Sequence, residues 1–145
     1  MPAQSFTHQA TTEATIDEVW AALDRPETWE GIGGVDRVFD AEIDPQGRLQ
    51  GFSFDTIAAG KKYVGTATPH ERVEREKMAW RVQNSEIQGV TMVSLSQRGE
   101  TTAITVTLEV QSAGLLSSMF FPVIAGAIGN GLPRSVEDFA AGLGG

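Results

Sequence analysis

The chain has 145 residues, 41% of them apolar and 21% charged, and its 19 acidic and 11 basic side chains give a net charge of −8. This is the length of one domain with an ordinary globular composition, so long disordered tracts, coiled coils and collagen-like repeats are excluded. The absence of cysteine excludes disulfides, thiol nucleophiles, and Cys-ligated zinc or iron–sulfur centres, and the acidic balance leaves no obvious basic patch for nucleic acid or an anionic membrane. The whole acidic excess falls in the first sixty residues, where Arg25, Arg37 and Arg48 are the only bases. With His8 and His70 as the only histidines, a His-based metal site is not expected, and no cofactor is. The N-terminus lacks the basic segment and apolar run of a signal peptide, so a cytoplasmic single domain over 1–145 is expected.

In chain order, residues 4–13 suit a strand with Phe6, His8, Ala10 and Thr12 on one side. Thr15-Ile16-Asp17-Glu18 fits a capping box, and Ile16, Val19, Trp20 and Leu23 then form one apolar helical face. Asp24-Arg25-Pro26-Glu27 repeats the start signal and predicts a second short helix that stops at the Gly31–Gly34 cluster. Turn signals follow at Asp44-Pro45-Gln46-Gly47, Ala58-Ala59-Gly60, Pro69-His70, Gln83-Asn84-Ser85 and Gln97-Arg98-Gly99-Glu100. They separate strands expected at about 35–44, 48–57, 62–68, 73–83, 86–96 and 101–111. The last is the clearest, since Ile104, Val106, Leu108 and Val110 alternate with Thr105, Thr107 and Glu109. Tight turns between successive strands imply an antiparallel meander with one wet face. The charged run from Glu71 to Lys77 reads as a solvated hairpin.

The C-terminal third carries Leu116, Phe120, Ile124, Ile128, Leu132, Val136, Phe139 and Leu143 at spacings of three or four, which predicts a long helix over about 115–143. Pro133 is expected to kink it, and Gly126, Gly129 and Gly131 to soften it. The uncharged stretch from Val110 to Pro133 is long enough to cross a bilayer, but Ser112, Ser117, Ser118, Asn130, two prolines and four glycines interrupt it. It is expected to be buried against protein, without stable membrane insertion.

The segments Ala14-Thr15-Ile16-Asp17-Glu18-Val19-Trp20, Leu23-Asp24-Arg25-Pro26-Glu27-Thr28-Trp29, Ile32-Gly33-Gly34-Val35, Tyr63-Val64-Gly65-Thr66-Ala67 and Gly131-Leu132-Pro133-Arg134-Ser135-Val136-Glu137, in that order, resemble the START-like superfamily. That superfamily includes the Bet v 1 allergens and polyketide cyclase/dehydrase-type proteins. The resemblance implies an α+β helix-grip fold: a curved antiparallel sheet of about seven strands around one long C-terminal helix, with two short helices after the first strand. It also implies a cavity between sheet and helix that holds a small hydrophobic molecule. Members bind sterols, lipids, plant hormones or polyketides, and some are aromatases or cyclases.

Gly31-Ile32-Gly33-Gly34 lacks the third glycine of a dinucleotide loop and precedes a strand, and no phosphate loop, zinc-protease motif or nucleophile elbow occurs. What remains is apolar lining with a few polar groups, the ordinary make-up of a small-ligand pocket. On the helix side the expected lining is Phe120, Ile124, Ile128 and Leu132. On the sheet side it is Phe52, Phe54, Tyr63, Trp80 and Met92, with Trp29 at the cavity mouth. Alternation puts Met78, Trp80 and Val82 on one face and Arg81 on the other. His8, if inward, and Tyr63 are the candidates for acid–base work. The expected function is binding of a small hydrophobic (lipid-like, aromatic or polyketide-like) molecule. The alternatives are a cyclase/dehydratase acting on a bound polyketide-like substrate and a protein-interaction module. Ligand identity and oligomeric state stay open.

Overall fold

A computed structural model describes residues 3–30, 32, 35–58, 60–84, 87–112, 126 and 129–144. Strand β1 (Ala3–Thr12) leads into helix α1 (Ile16–Leu23) and a 3-10 turn (Pro26–Trp29). Strands β2 (Arg37–Ile43), β3 (Leu49–Ala58), β4 (Lys61–Val73), β5 (Lys77–Gln83), β6 (Ile87–Arg98) and β7 (Thr101–Ser112) then precede helix α2 (Leu132–Gly144). The seven strands form one antiparallel sheet in the order β1-β7-β6-β5-β4-β3-β2. The meander therefore runs inward from β2, and β1 closes on β7 with Phe6 opposite Leu108 and His8 opposite Val106.

The capping box forms as its residues dictate. The Glu18 N–H donates to Thr15 Oγ1 at 3.1 Å, and the Thr15 N–H donates back to Glu18 Oε1 at 3.2 Å, so two of the helix's orphan donors are satisfied reciprocally. Thr15→Ala should cost about 1 kcal/mol in urea denaturation. The expected second helix is only the four-residue 3-10 turn Pro26–Trp29, with Asp24 closing α1 and Arg25 between them.

Two turn signals fare differently. Asp44 builds the β2–β3 connection: its carboxylate accepts the backbone N–H groups of Gln46 and Arg48, both at 2.9 Å, and pairs with the Arg48 side chain. The Arg48 N–H holds that carboxyl below its ordinary pKa, with burial opposing and the Arg48 side chain assisting. Pro69-His70, by contrast, makes no turn. β4 runs through it, and the pairing with β5 slips from Pro69–Trp80 to Glu71–Ala79. A bulge absorbs a residue that cannot donate to the ladder. The chain instead reverses at Glu74–Glu76, where Arg75 takes a positive φ of 62°. This charged hairpin is not simply solvated. Arg72 pairs with Asp24 at 2.9 Å and lies 5.2 Å over the Trp20 ring, and the Trp20 N–H donates to Glu74 at 2.6 Å.

The core lies on one face of the sheet. Phe52, Phe54, Met78, Trp80, Val93, Leu95, Ile104, Val106, Leu108 and Val110 meet Val19, Trp20 and Leu23 of α1 and Leu132, Val136 and Ala140 of α2. The buried residues of α2 recur every four positions and so make one stripe. A side chain at Gly129 would stand 2.4 Å from the Phe6 ring, so only glycine lets the chain pass that close to β1. Of the long helix expected over 115–143, Gly126, Gly129 and Asn130 are helical, Gly131 is a turn, and α2 begins at Leu132. Pro133 sits in the first turn of α2, directly after the interruption at Gly131, where its missing N–H costs no helical bond. Residues 113–125 and 127–128 lie outside the described residues. No described helix is long and apolar enough to cross a membrane.

Candidate interior ligand site

The inner face of the sheet carries an aromatic cluster. Alternation from β3 points Phe52, Phe54 and Thr56 inward, opposite Ala67, Gly65 and Tyr63 of β4. Gly65 makes room for a ring: a Cβ there would lie 2.9 Å from Phe54 Cζ and 2.6 Å from the Gln83 carbonyl oxygen. Trp80 comes from β5, with Thr91 of β6 beside it. Trp29, on the 3-10 turn, lies over both. Its ring stacks on Phe52 at 6.3 Å and meets Trp80 edge-on at 6.0 Å, while Phe52 touches Trp80 at 5.3 Å and Phe54 at 6.3 Å. The Trp29 N–H donates to the Leu23 carbonyl at 2.9 Å.

Next to this cluster lies a small cavity of about 30 Å³, at the end of the sheet where β3 finishes and β6 begins. Its wall includes Val35, Phe54, Thr56, Val82, Thr91 and Leu108. Residues of β3 and β7, four positions apart in the strand order, share it, so the sheet curls around its inner face. No Asp, Glu, Lys, Arg or His is among the described residues lining it. Thr56 and Thr91 are 4% and 6% exposed. A second void, of about 50 Å³, lies beside the Pro69–Glu71 bulge and is bordered by Trp80 and Arg72. The Trp80 Nε1 and Arg72 Nε donors are both buried without a partner among the described residues. Larger open clefts lie outside. One of about 440 Å³ separates Thr28, Glu30 and Ile32 from Arg134, Asp138 and Phe139 of α2. Another, of about 620 Å³, is bordered by the ion pairs of Arg48, Arg72 and Arg75.

The structure brings Trp29, Phe52, Phe54 and Trp80 together, and of these Phe54 borders the 30 Å³ cavity. Trp29 stands inside the core, 2% exposed, rather than at a mouth; its neighbours Thr28, Glu30 and Ile32 are the ones that border the open cleft. Tyr63 is inward and half-buried beside Thr56. Met92 is a correction. Its cross-strand partners are Ala79 and Thr107, on the outer face, while Thr91 and Val93 point inward. His8 shares a face with Phe6 and Ala10 but lies on the edge strand β1, its side chain 28% exposed, with Nε2 2.8 Å from Glu137 Oε2 of α2. It ties helix to sheet and does not border the cavity. Phe120, Ile124 and Ile128 lie outside the described residues. Thr56, Thr91, Val35 and Val82 do border the cavity and are absent from the sequence-based lining. Thr56 was legible there, two residues beyond Phe54 on the same strand.

Comparison with solved structures decides what this arrangement is. A START superfamily protein from Mycobacterium smegmatis superposes with a TM-score of 0.73 at 14% identity, over 96% of this chain and 98% of that one. The fold is START/Bet v 1-like. Zhui aromatase/cyclase from Streptomyces sp. R1128 shares this START/Bet v 1-like fold at a TM-score of 0.60 and 17% identity, over 98% of this chain and 84% of that one. The major latex-like protein of Panax ginseng does so at 0.58 and 14%, over 95% and 97%. No protein-family model and no curated protein sequence matches the chain.

Proposed function

We propose that the chain binds a small apolar molecule on the inner face of the sheet, in the cavity bordered by Val35 and residues of β3, β5, β6 and β7. The observation that carries this reading is the small cavity, walled mostly by apolar side chains, with the hydroxyls of Thr56 and Thr91 and the carboxamides of Gln83 and Asn84 as its polar groups and no charged residue among the described lining. Such a lining suits a neutral, mostly apolar guest. At about 30 Å³ the cavity holds roughly one water, so a larger guest must part the lining as it enters. The absence of acidic or basic side chains among the described lining residues favours binding over cyclisation. A cyclase/dehydratase acting on a polyketide-like substrate is the alternative, supported by the likeness to Zhui aromatase/cyclase. Tyr63→Phe discriminates, since in a cyclase that uses this inward hydroxyl it abolishes turnover and spares binding; His8, paired with Glu137 away from the cavity, is no longer a candidate for that role.

Native mass spectrometry of the purified protein, with its solvent extract analysed for small molecules, tests the reading. A retained apolar compound, or uptake of hydrophobic fluorescent probes, is expected. An empty protein that ignores every probe overturns it. A protein-interaction role would then stand on a specific feature of the outer face. Ile57 and Val64, diagonal neighbours on β3 and β4, are 61% and 59% exposed there.

A further inference from the structure

Three hydroxyls lie buried at one end of the sheet. Thr56 ends the inward row of β3, Thr91 faces inward from β6, and Ser112 is the last residue of β7, directly opposite Ile87. Thr56, Thr91 and Ile87 border the cavity, as do the carboxamide side chains of Gln83 and Asn84, while Ser112 lies two residues beyond Val110, outside the lining itself. Thr56, Thr91 and Ser112 are 4%, 6% and 3% exposed. The Ser112 hydroxyl has no hydrogen-bond partner among the described residues. No hydrogen bond joins the Thr56 or Thr91 side chain to another described residue either. Other threonines of the chain show the ordinary solution: the buried Thr102 hydroxyl donates to the Ala14 carbonyl at 2.8 Å, and Thr12 accepts from the Ala14 N–H at 3.2 Å. A fully buried hydroxyl without a partner, as at Ser112, costs roughly 1–3 kcal/mol, so alanine there would give the more stable core, while Thr56 and Thr91 turn theirs to the cavity. Unsatisfied buried polar groups of this kind collect where a site awaits a ligand.

We propose that Thr56, Thr91 and Ser112 form a neutral polar subsite that selects, among apolar molecules, those carrying a hydroxyl or carbonyl group, and rejects carboxylates. Each hydroxyl both donates and accepts, so a carbonyl oxygen or an alcohol is matched equally well. A carboxylate is not matched, because no cation borders the cavity among the described residues and burying an uncompensated charge is prohibitive. Arg37 and Lys62 offer no help. They pair with Asp55 on the opposite face of the sheet, at 3.2 and 3.4 Å. The proposal rests on the binding reading above and adds to it the chemistry of the guest.

The test compares ethylbenzene, acetophenone and benzoate, three probes of nearly one shape, by NMR titration of the full chain. Acetophenone is expected to bind about ten-fold more tightly than ethylbenzene, the yield of one well-made hydrogen bond, and benzoate to bind more weakly than either. The double variant Thr56→Val/Thr91→Val should erase the preference for acetophenone, leave ethylbenzene affinity intact or improved, and melt at or above the wild-type temperature. Ser112→Ala should act in the same direction. Equal affinity for ethylbenzene and acetophenone overturns the subsite and leaves the binding reading standing. So does a double variant that melts several degrees lower while keeping the preference, for then the hydroxyls are structural. A chain that takes up none of the three, nor any hydrophobic fluorescent probe, overturns both.

Discussion

Trp29→Ala is expected to destabilise the protein by about 3–5 kcal/mol, the range for emptying a fully buried aromatic site. The ring is 2% exposed and packs on Phe52 and Trp80 at the junction of the 3-10 turn, β3 and β5. Its N–H also takes up the Leu23 carbonyl at the end of α1, one of the four carbonyls a helix leaves without an internal partner. Alanine removes the packing and that bond together. Since domains of this size are held by roughly 5–15 kcal/mol in all, a large share of the stability goes with one side chain. Trp29→Phe keeps a ring against Phe52 and Trp80 and loses the hydrogen bond, so about 1–2 kcal/mol is expected. Urea denaturation followed by far-ultraviolet circular dichroism measures both without relying on the altered fluorophore. A loss under 1 kcal/mol for Trp29→Ala would place the ring at a solvent-accessible mouth instead of in the core.

That contrast shows where sequence reasoning reaches and where it stops. The period of two in Thr101–Gln111 identifies β7 because one strand in contact with a core needs no other information to choose its inward side. The capping box is equally local, four residues that satisfy one another. Both appear in the structure at the residues named. The parity of β6 is harder to read. Ile87, Val93 and Leu95 compete with Val90 and Met92 for the core, and the contest is decided by pairing with β5 and β7, which places Thr91 beside Trp80 and Leu108. Choosing Met92 as inward lost Thr91 to the lining. Pro69-His70 misleads for a related reason: proline is a turn signal only where the ladder needs its N–H, and a bulge removes that need. The charged hairpin is the limiting case. Its composition speaks of solvent, but Asp24 and Trp20, about fifty residues earlier, bring Arg72 and Glu74 down onto α1, and no local pattern encodes that meeting.

Asp24→Ala should cost about 2–3 kcal/mol, well above an ordinary surface ion pair, which is worth about 0–1 kcal/mol. Asp24 caps the C-terminal end of α1, where the helix dipole disfavours a carboxylate. Its position is explained by what it holds. Oδ1 accepts the Leu49 N–H at 3.1 Å and Arg72 Nη1 at 2.9 Å, and Oδ2 accepts Arg72 Nη2 at 2.9 Å. This is a two-pronged pair between side chains that are 23% and 16% exposed, a geometry in which guanidinium and carboxylate match best. The bond to Asp24 raises the Arg72 pKa above its ordinary value, against the opposing effect of burial. With Asp24 gone, the N–H of the buried Leu49 loses its acceptor. The Arg72 guanidinium, whose Nε is already unpartnered, is left over the Trp20 ring with Glu74 at 3.8 Å as its remaining ion-pair partner. Unmatched groups of this kind cost more than the pair itself contributes. Asp24→Asn retains an acceptor for Leu49 and should recover about half the loss. Arg48→Ala, which breaks the exposed pair with Asp44, is the control and should change stability by about 0.5 kcal/mol or less. Urea midpoints of the three variants decide the matter: an Asp24→Ala loss no larger than that of Arg48→Ala would mean that the hairpin rests on α1 through the Trp20 contact alone.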